Sequence, residues 1–260
     1  MNTCKIRGLV LGEGIPKICV PIVGKSKEEI VDLAKKVKEI GTDKEIGADI
    51  VEFRADWFED ILDFEKTEEV LKELRGILGE TPILFTFRTL KEGGEKAMEL
   101  EKYVELNINV INTGLVDAID VEIFTGDEFV KAVVDSAHEK GVKVIGSNHD
   151  FYKTPEKDEI VCRLRKMQEL NVDVAKIAVM PQSKKDVITL LAATEEMYTN
   201  YANRPIITMS MSKLGVVSRL VGEAFGSVLT FGAVGKTSAP GQINVKDLKS
   251  ALSIVHNSLH

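Results

Sequence analysis

The segment VKVIGSNHDFYKTPEKDEIVCRLRKMQELNVDVAKIAVM (residues 142–180) decides the fold. It opens on a β-branched run at 142–148 and closes on another at 174–180, with a stretch of helical length between them. Thr154 is placed to cap that helix, and Pro155 to take its first position, where a missing N–H costs nothing. Strand, helix and strand in this order make a βαβ unit, the crossover that parallel strands require. The closing strand holds one discordant residue. Val174, Ala175, Ile177, Ala178 and Val179 suit a strand covered on both faces. Lys176 does not, because a lysine in apolar surroundings costs free energy unless it is paired, loses its proton or reaches water.

The same unit repeats outward in both directions. Strands are predicted at 17–23, 49–55, 83–88, 118–123, 142–148, 174–180, 205–210 and 227–233, each followed by a helical pattern. The first helix opens with Ser26 and Glu29 in capping-box spacing and shows Ile30, Leu33, Ala34 and Val37 on one face. The last is predicted over roughly 245–257. Eight such units in 260 residues predict an α/β fold, a (β/α)8 TIM barrel, as one domain over 1–260. Residues 3–13 are predicted to form a short N-terminal hairpin over the barrel bottom. An open doubly wound sheet is the alternative, but the loop after the first strand, VGKSKEE, has one glycine where a nucleotide fold usually has several.

A formal net charge of −7 argues against nucleic acid or an anionic membrane as partner. No apolar run is long enough to span a bilayer, and the N-terminus lacks a signal peptide's cleavage pattern. Cys4, Cys19 and Cys162 form neither a metal spacing nor a disulfide framework, which fits a reducing cytoplasm. TFGAVGKT (230–237) imitates a phosphate loop, but Thr230 stands at its first glycine position and Pro240 follows where a helix should begin. The four histidines are read as showing no metal spacing, with His256 and His260 solvated.

Catalytic residues of such barrels come from the C-terminal strand ends. Those ends here carry Glu52 and Arg54, Arg88, Glu122, His149, Lys176, and then Met209 and Met211, with Arg219 just beyond. Each has an ordinary reading alone: a rim ion pair, a turn residue, core filler. Together they place an amine, a histidine, carboxylates and guanidiniums on one rim. A free lysine titrates near 10.4, and bringing it to about 7–8 means about 4 kcal/mol against the charged form. Burial and neighbouring arginines have that sign, and the arginines would attract an anion. A neutral amine attacks a ketone or aldehyde to give a Schiff base, which acidifies an adjacent C–H. The residues alone thus reach a Schiff-base lyase or aldolase acting on a polar anion.

Several blocks then resemble the type I 3-dehydroquinate dehydratase family. They are LVLGEGIPKICV (9–20), FTFRTLKEGGE (85–95), TGLVDAIDVEIFTGD (113–127), SNHDFYKTP (147–155), LRKMQEL (164–170), AKIAVMPQ (175–182), RPIITMSMSKLGVVSRLVGEAFGS (204–227) and SAPGQI (238–243). The resemblance implies dehydration of 3-dehydroquinate to 3-dehydroshikimate in the shikimate pathway, by syn elimination, without metal or other cofactor. It implies that Lys176 forms the imine and that His149 is general base and then general acid. Glu92 resembles the carboxylate that pairs with this histidine, and Asp120 a supporting acid. Arg219 would hold the substrate carboxylate, a natural task for a guanidinium. Glu52, Arg54 and Arg88 would bind ring hydroxyls, and Met209 and Met211 would wall the pocket. Ser238 and Gln242 lie in AVGKTSAPGQIN, a Gly- and Ser-rich loop that reads independently as a lid. A homodimer is the further implication of the resemblance. Pro21 stands where many members have serine, and Trp57 where histidine is frequent. A class I aldolase is the enzymatic alternative, though the single glycine and Arg219 after the seventh strand favour a carboxylate over a phosphate. A silent binding barrel is the other, and it has no need of a buried amine.

Overall fold

A computed structural model describes residues 2–41, 47–235 and 241–260. Strands β1 (Cys4–Ile6) and β2 (Leu9–Leu11) pair antiparallel as a hairpin. Eight parallel strands follow: β3 (Lys17–Ile22), β4 (Ile50–Arg54), β5 (Ile83–Thr86), β6 (Ala118–Glu122), β7 (Lys143–Asp150), β8 (Val174–Val179), β9 (Ile206–Ser210) and β10 (Leu229–Ala233). A two-residue strand, β11 (Ile243–Asn244), adds to β10. From β3 to β9 each strand pairs with the next, and β10 pairs back with β3. Ring closure between β9 and β10 is thin. Val228 N donates to Ile206 O at 3.0 Å, beside an isolated bridge between Ile206 and Ser227. The result is the (β/α)8 barrel, with every strand within two residues of its expected bounds.

Helices α1 (Lys27–Gly41), α2 (Phe64–Leu78), α3 (Leu100–Asn112), α4 (Asp127–Glu139), α5 (Lys157–Glu169), α6 (Lys184–Asn200), α7 (Val216–Leu220), α8 (Gly222–Phe225) and α9 (Val245–Leu259) fill the connections. Their apolar stripes meet the outward strand residues in one core that includes Val20, Val51, Phe53, Phe85, Ile119, Val121, Val144 and Ile177. Two helix starts differ from expectation. Ser26 Oγ accepts from Glu29 N at 3.4 Å, but the Glu29 carboxylate accepts from Lys25 N at 2.8 Å rather than closing the box on Ser26. At α5 the cap falls on Glu156, because the Thr154 hydroxyl donates to Met180 O at 3.1 Å and belongs to the strand–loop packing instead. Among the described residues no helix is long and apolar enough to cross a membrane.

The inward residues alternate with these, as the pleat requires. Low in the barrel, Cys19, Ile50, Leu84, Ala118, Ile145, Val174, Ile207 and Leu229 form a second apolar cluster. Cys4, Ile6 and Leu11 of the hairpin join it and plug the lower end. Two residues further along, five of these eight positions turn polar, as Glu52, Thr86, Asp120, Ser147 and Lys176, while Pro21, Met209 and Phe231 stay apolar.

Candidate active site

Pleating decides which side chains enter the upper barrel. Period-two alternation from Ile50 brings in Glu52 and Arg54; from Leu84, Thr86; from Ala118, Asp120 and Glu122; from Val174, Lys176. Arg88 follows β5 with the same parity and is buried like the strand residues.

Lys176 is 3 % exposed and points into the barrel. Its Nζ donates to Asp120 Oδ2 at 2.9 Å and lies 3.9 Å from Glu52 Oε1. The Phe231 ring covers it, centroid 4.7 Å away. The expected arginine neighbours are thus one shell removed, and carboxylates stand beside the amine. The resting amine is ion-paired, so a reacting nitrogen must pass its proton on first.

Asp120 is fully buried and works as a hub. Its Oδ1 accepts from Arg88 Nη2 at 2.7 Å and from Ser147 Oγ at 2.6 Å, while Oδ2 holds the lysine. Burial opposes ionisation of this carboxyl, but Arg88, then Lys176 and His149, outweigh it and hold it well below the usual range. Burial likewise works against the Arg88 cation, and Asp120, Glu122 and Glu92 overcome it. Arg88 Nη1 also reaches Glu122 Oε1 at 2.9 Å and Ser147 Oγ at 3.0 Å. Glu122 in turn accepts from Thr89 N and Thr89 Oγ1, at 2.8 and 2.7 Å. A buried charge set survives only when each member is satisfied in this way.

His149 ends β7, with Nδ1 3.0 Å from Glu92 Oε2; that oxygen also accepts from His149 N at 2.9 Å. Glu92 sits in a 3-10 turn after β5, where Asn148 Nδ2 donates to its other oxygen at 3.1 Å. The turn folds back so tightly that a Cβ on Gly94 would lie 1.9 Å from Arg88 O. Burial, then the Arg88 and Lys176 charges, holds the imidazole well below its usual value, so it is neutral at neutral pH. Burial, then Glu122, pushes Glu92 up to about 8. The carboxyl therefore positions Nδ1, and Nε2 is the nitrogen left for chemistry.

Ten of the twelve residues given roles by the resemblance line one small cleft: Glu52, Arg54, Arg88, Glu92, His149, Lys176, Met209, Met211, Arg219 and Gln242. Asp120 lies beneath it, touching Lys176. Ser238, and with it much of the expected lid, falls outside the described residues. Arg219, carried by the short α7, is 2 % exposed, and burial lowers it to about 10. It stays cationic at neutral pH and gains from an anion. Arg54 differs from expectation in its engagement. Its Nε and Nη2 donate to Asp56 Oδ1 and Oδ2 at 2.8 Å each, so the guanidinium is held by a carboxylate of its own chain. Residues not singled out beforehand include Ser147, Asp56 and Phe231, and Thr86, whose hydroxyl donates to Glu52 Oε1 at 2.8 Å. Outside the cleft, His256 is not solvated as expected, its Nδ1 lying 2.6 Å from Glu223 Oε1.

The profile of the type I 3-dehydroquinase family matches residues 18–259. A 3-dehydroquinate dehydratase of Clostridioides difficile (strain 630) is 55 % identical over 98 % of both chains, and one of Clostridium novyi (strain NT) is 54 % identical over the full length of both. Among solved structures, the type I 3-dehydroquinate dehydratase of Clostridium difficile with covalently modified comenic acid superposes with a TM-score of 0.94 at 54 % identity, covering 99 % of this chain and 100 % of that one. The 3-dehydroquinate dehydratase of Geobacillus kaustophilus HTA426 gives 0.94 at 35 % identity, with both chains covered completely.

Proposed function

The chain belongs to the type I 3-dehydroquinase family, enzymes that dehydrate 3-dehydroquinate, and from that premise we propose that it eliminates water through an imine on Lys176, giving 3-dehydroshikimate. The observation that carries this reading is the buried Lys176 amine, inside the barrel beside His149 in one cleft.

The steps follow from the neighbours. Arg219 takes the substrate carboxylate, and Glu52 and Arg88 order the ring hydroxyls. Lys176 passes one proton to His149 and adds to the C3 ketone, and His149 returns that proton to the carbinolamine hydroxyl, which leaves as water to give a protonated imine. That cation occupies the place of the resting ammonium, so Asp120 serves both as counter-ion without moving. Arg88 keeps Asp120 ionised throughout, which prevents the carboxylate from reclaiming the proton. The imine nitrogen withdraws electrons from C2, and His149 Nε2 takes the C2 proton. The resulting enamine expels the C1 hydroxyl, which leaves as water with the proton His149 carries. Hydrolysis then frees the product and restores the amine. Base and acid are one imidazole on one face, hence a syn elimination.

Phe231 covers the nitrogen and, with Met209 and Met211, walls the cleft against water, which strengthens the Asp120 interaction. The covalently modified comenic acid held by the Clostridium difficile relative supports a covalent route. We take the working unit to be a homodimer of single-domain barrels, as the family resemblance implies, in the reducing cytoplasm that the three cysteines fit.

Paired variants test the assignment. Lys176→Ala should lose turnover while retaining measurable substrate binding through Arg219. His149→Ala should still form the imine yet eliminate water slowly. Near wild-type turnover in Lys176→Ala would refute the imine route, and an unchanged rate in His149→Ala would remove the histidine from its role.

A further inference from the structure

A second set of convergent side chains lies at the barrel's outer edge, away from the cleft. His256 lies in the last turn of α9 and His260 is the capping residue that follows it, its N–H donating to His256 O at 3.2 Å, so the two side chains lie one turn apart on the same side. Glu223, on the short α8 across from them, brings an oxygen between the rings. Glu223 Oε1 lies 2.6 Å from His256 Nδ1 and 3.3 Å from His260 Nε2. The ligand atoms of all three lie within 4.8 Å of one another. The ring centroids are 4.7 Å apart and the planes tilted by 51°, so the two nitrogens converge on the carboxylate rather than stacking away from it.

A separate observation concerns the carboxylate itself. Its side chain is 10 % exposed, and both imidazoles are served by one oxygen. The other, Oε2, is buried with no hydrogen-bond partner among the described residues. A buried carboxylate half satisfied in this way has unused capacity for a cation.

We propose that Glu223, His256 and His260 form a binding site for a borderline divalent transition ion, with Zn²⁺ as its natural occupant. Two histidines and one glutamate are a familiar zinc donor set, four residues is a familiar helical spacing for the histidine pair, and three protein ligands leave a position for water. Ligand atoms around tetrahedral zinc stand about 3.3 Å apart for bonds of about 2.0–2.1 Å. The Glu223–His260 separation already meets that value, and the shorter Glu223–His256 contact opens by a small ring rotation. Imidazole donors favour Zn²⁺, Ni²⁺ and Cu²⁺ and discriminate against Mg²⁺ and Ca²⁺, which take oxygen ligands. The bound ion would tie the final turn of α9 to α8.

Calorimetric titration of the full-length Cys162→Ser protein with Zn²⁺ tests the site, the substitution removing an exposed thiol as a competing ligand. One equivalent should bind, with no competition from Mg²⁺. His260→Ala, at a side chain 66 % exposed and therefore harmless to folding, should weaken binding at least tenfold. The His256→Ala/His260→Ala pair should abolish it. Co²⁺ should give a visible absorption band of low coordination number, absent in the pair. Hydrogen exchange in the last turn of α9 should slow with Zn²⁺ in the starting protein only. The proposal fails if no equivalent binds at millimolar Zn²⁺, if the double variant binds as tightly as its parent, or if binding is lost instead in His138→Ala, a change in α4 at a histidine whose Nε2 lies 2.8 Å from Asp173 Oδ2.

Discussion

The two ends of the barrel interior are built by the same strands, two residues apart, and do opposite work. At the lower end, Ile50, Leu84, Ala118 and Val174 meet the hairpin residues Ile6 and Leu11 in a dry plug. One pleat higher, Glu52, Thr86, Asp120 and Lys176 form a charged layer in which every group answers another. The lower layer is non-directional: it needs volume and apolar surface. The upper layer is directional, since each charge is tolerable only while its partners are in place. Fold and chemistry are thus separated by a single period of a β-strand.

Deleting the amine gives the largest contrast. Lys176→Ala should reduce turnover by roughly 10⁴-fold or more, the scale of losing a nucleophile. Asp120 keeps Arg88 and Ser147, so the fold should survive, as circular dichroism would show. Collapse of the fold on this change would mean the charged layer is structural first.

Arg88 and Leu84, near each other in sequence, set the two layers side by side. Arg88→Met strands Asp120 and Glu122 as buried unpaired charges and should cost about 3–5 kcal/mol in urea unfolding as well as most activity. Leu84→Ala should cost about 2–5 kcal/mol through its cavity. Its folded fraction should nevertheless turn over at close to the parent's rate, because Leu84 belongs to the lower apolar cluster and does not line the cleft. Equal activity losses in the two would erase the proposed division.

Glu92→Gln should give the smallest effect, read in pH dependence. The native carboxyl sits at about 8, above its unfolded value, so the folded state binds the extra proton between the two. That contribution is present at low pH and lost as pH rises through about 8. Glu92→Gln should remove this downward slope. His149, held low, has the opposite sign, its contribution falling away below about 6.5, so the comparison belongs above that pH. Parallel stability curves for the two proteins would contradict the protonated carboxyl.

Much of this was legible in the sequence for a physical reason. Parallel strands buried on both faces are compositionally loud, and Lys176 and Arg88 stand out because charge is costly there, whereas Asp120 is legible through the family resemblance alone. Ser147 and Thr86 were silent, since hydroxyl residues are ordinary in strands and only their partners reveal a role. Asp56 was silent because its grip on Arg54 comes from a turn beyond the strand. His256 and His260 read as solvated and without metal spacing in the sequence, because their partner Glu223 lies over thirty residues away.

The most direct test is to trap the nitrogen at work. Incubation with 3-dehydroquinate and borohydride should reduce the imine to a stable adduct, which peptide mass mapping should place on Lys176 alone. An adduct on any other lysine, or turnover with no adduct at all, would contradict the assignment of the upper layer's amine as the nucleophile.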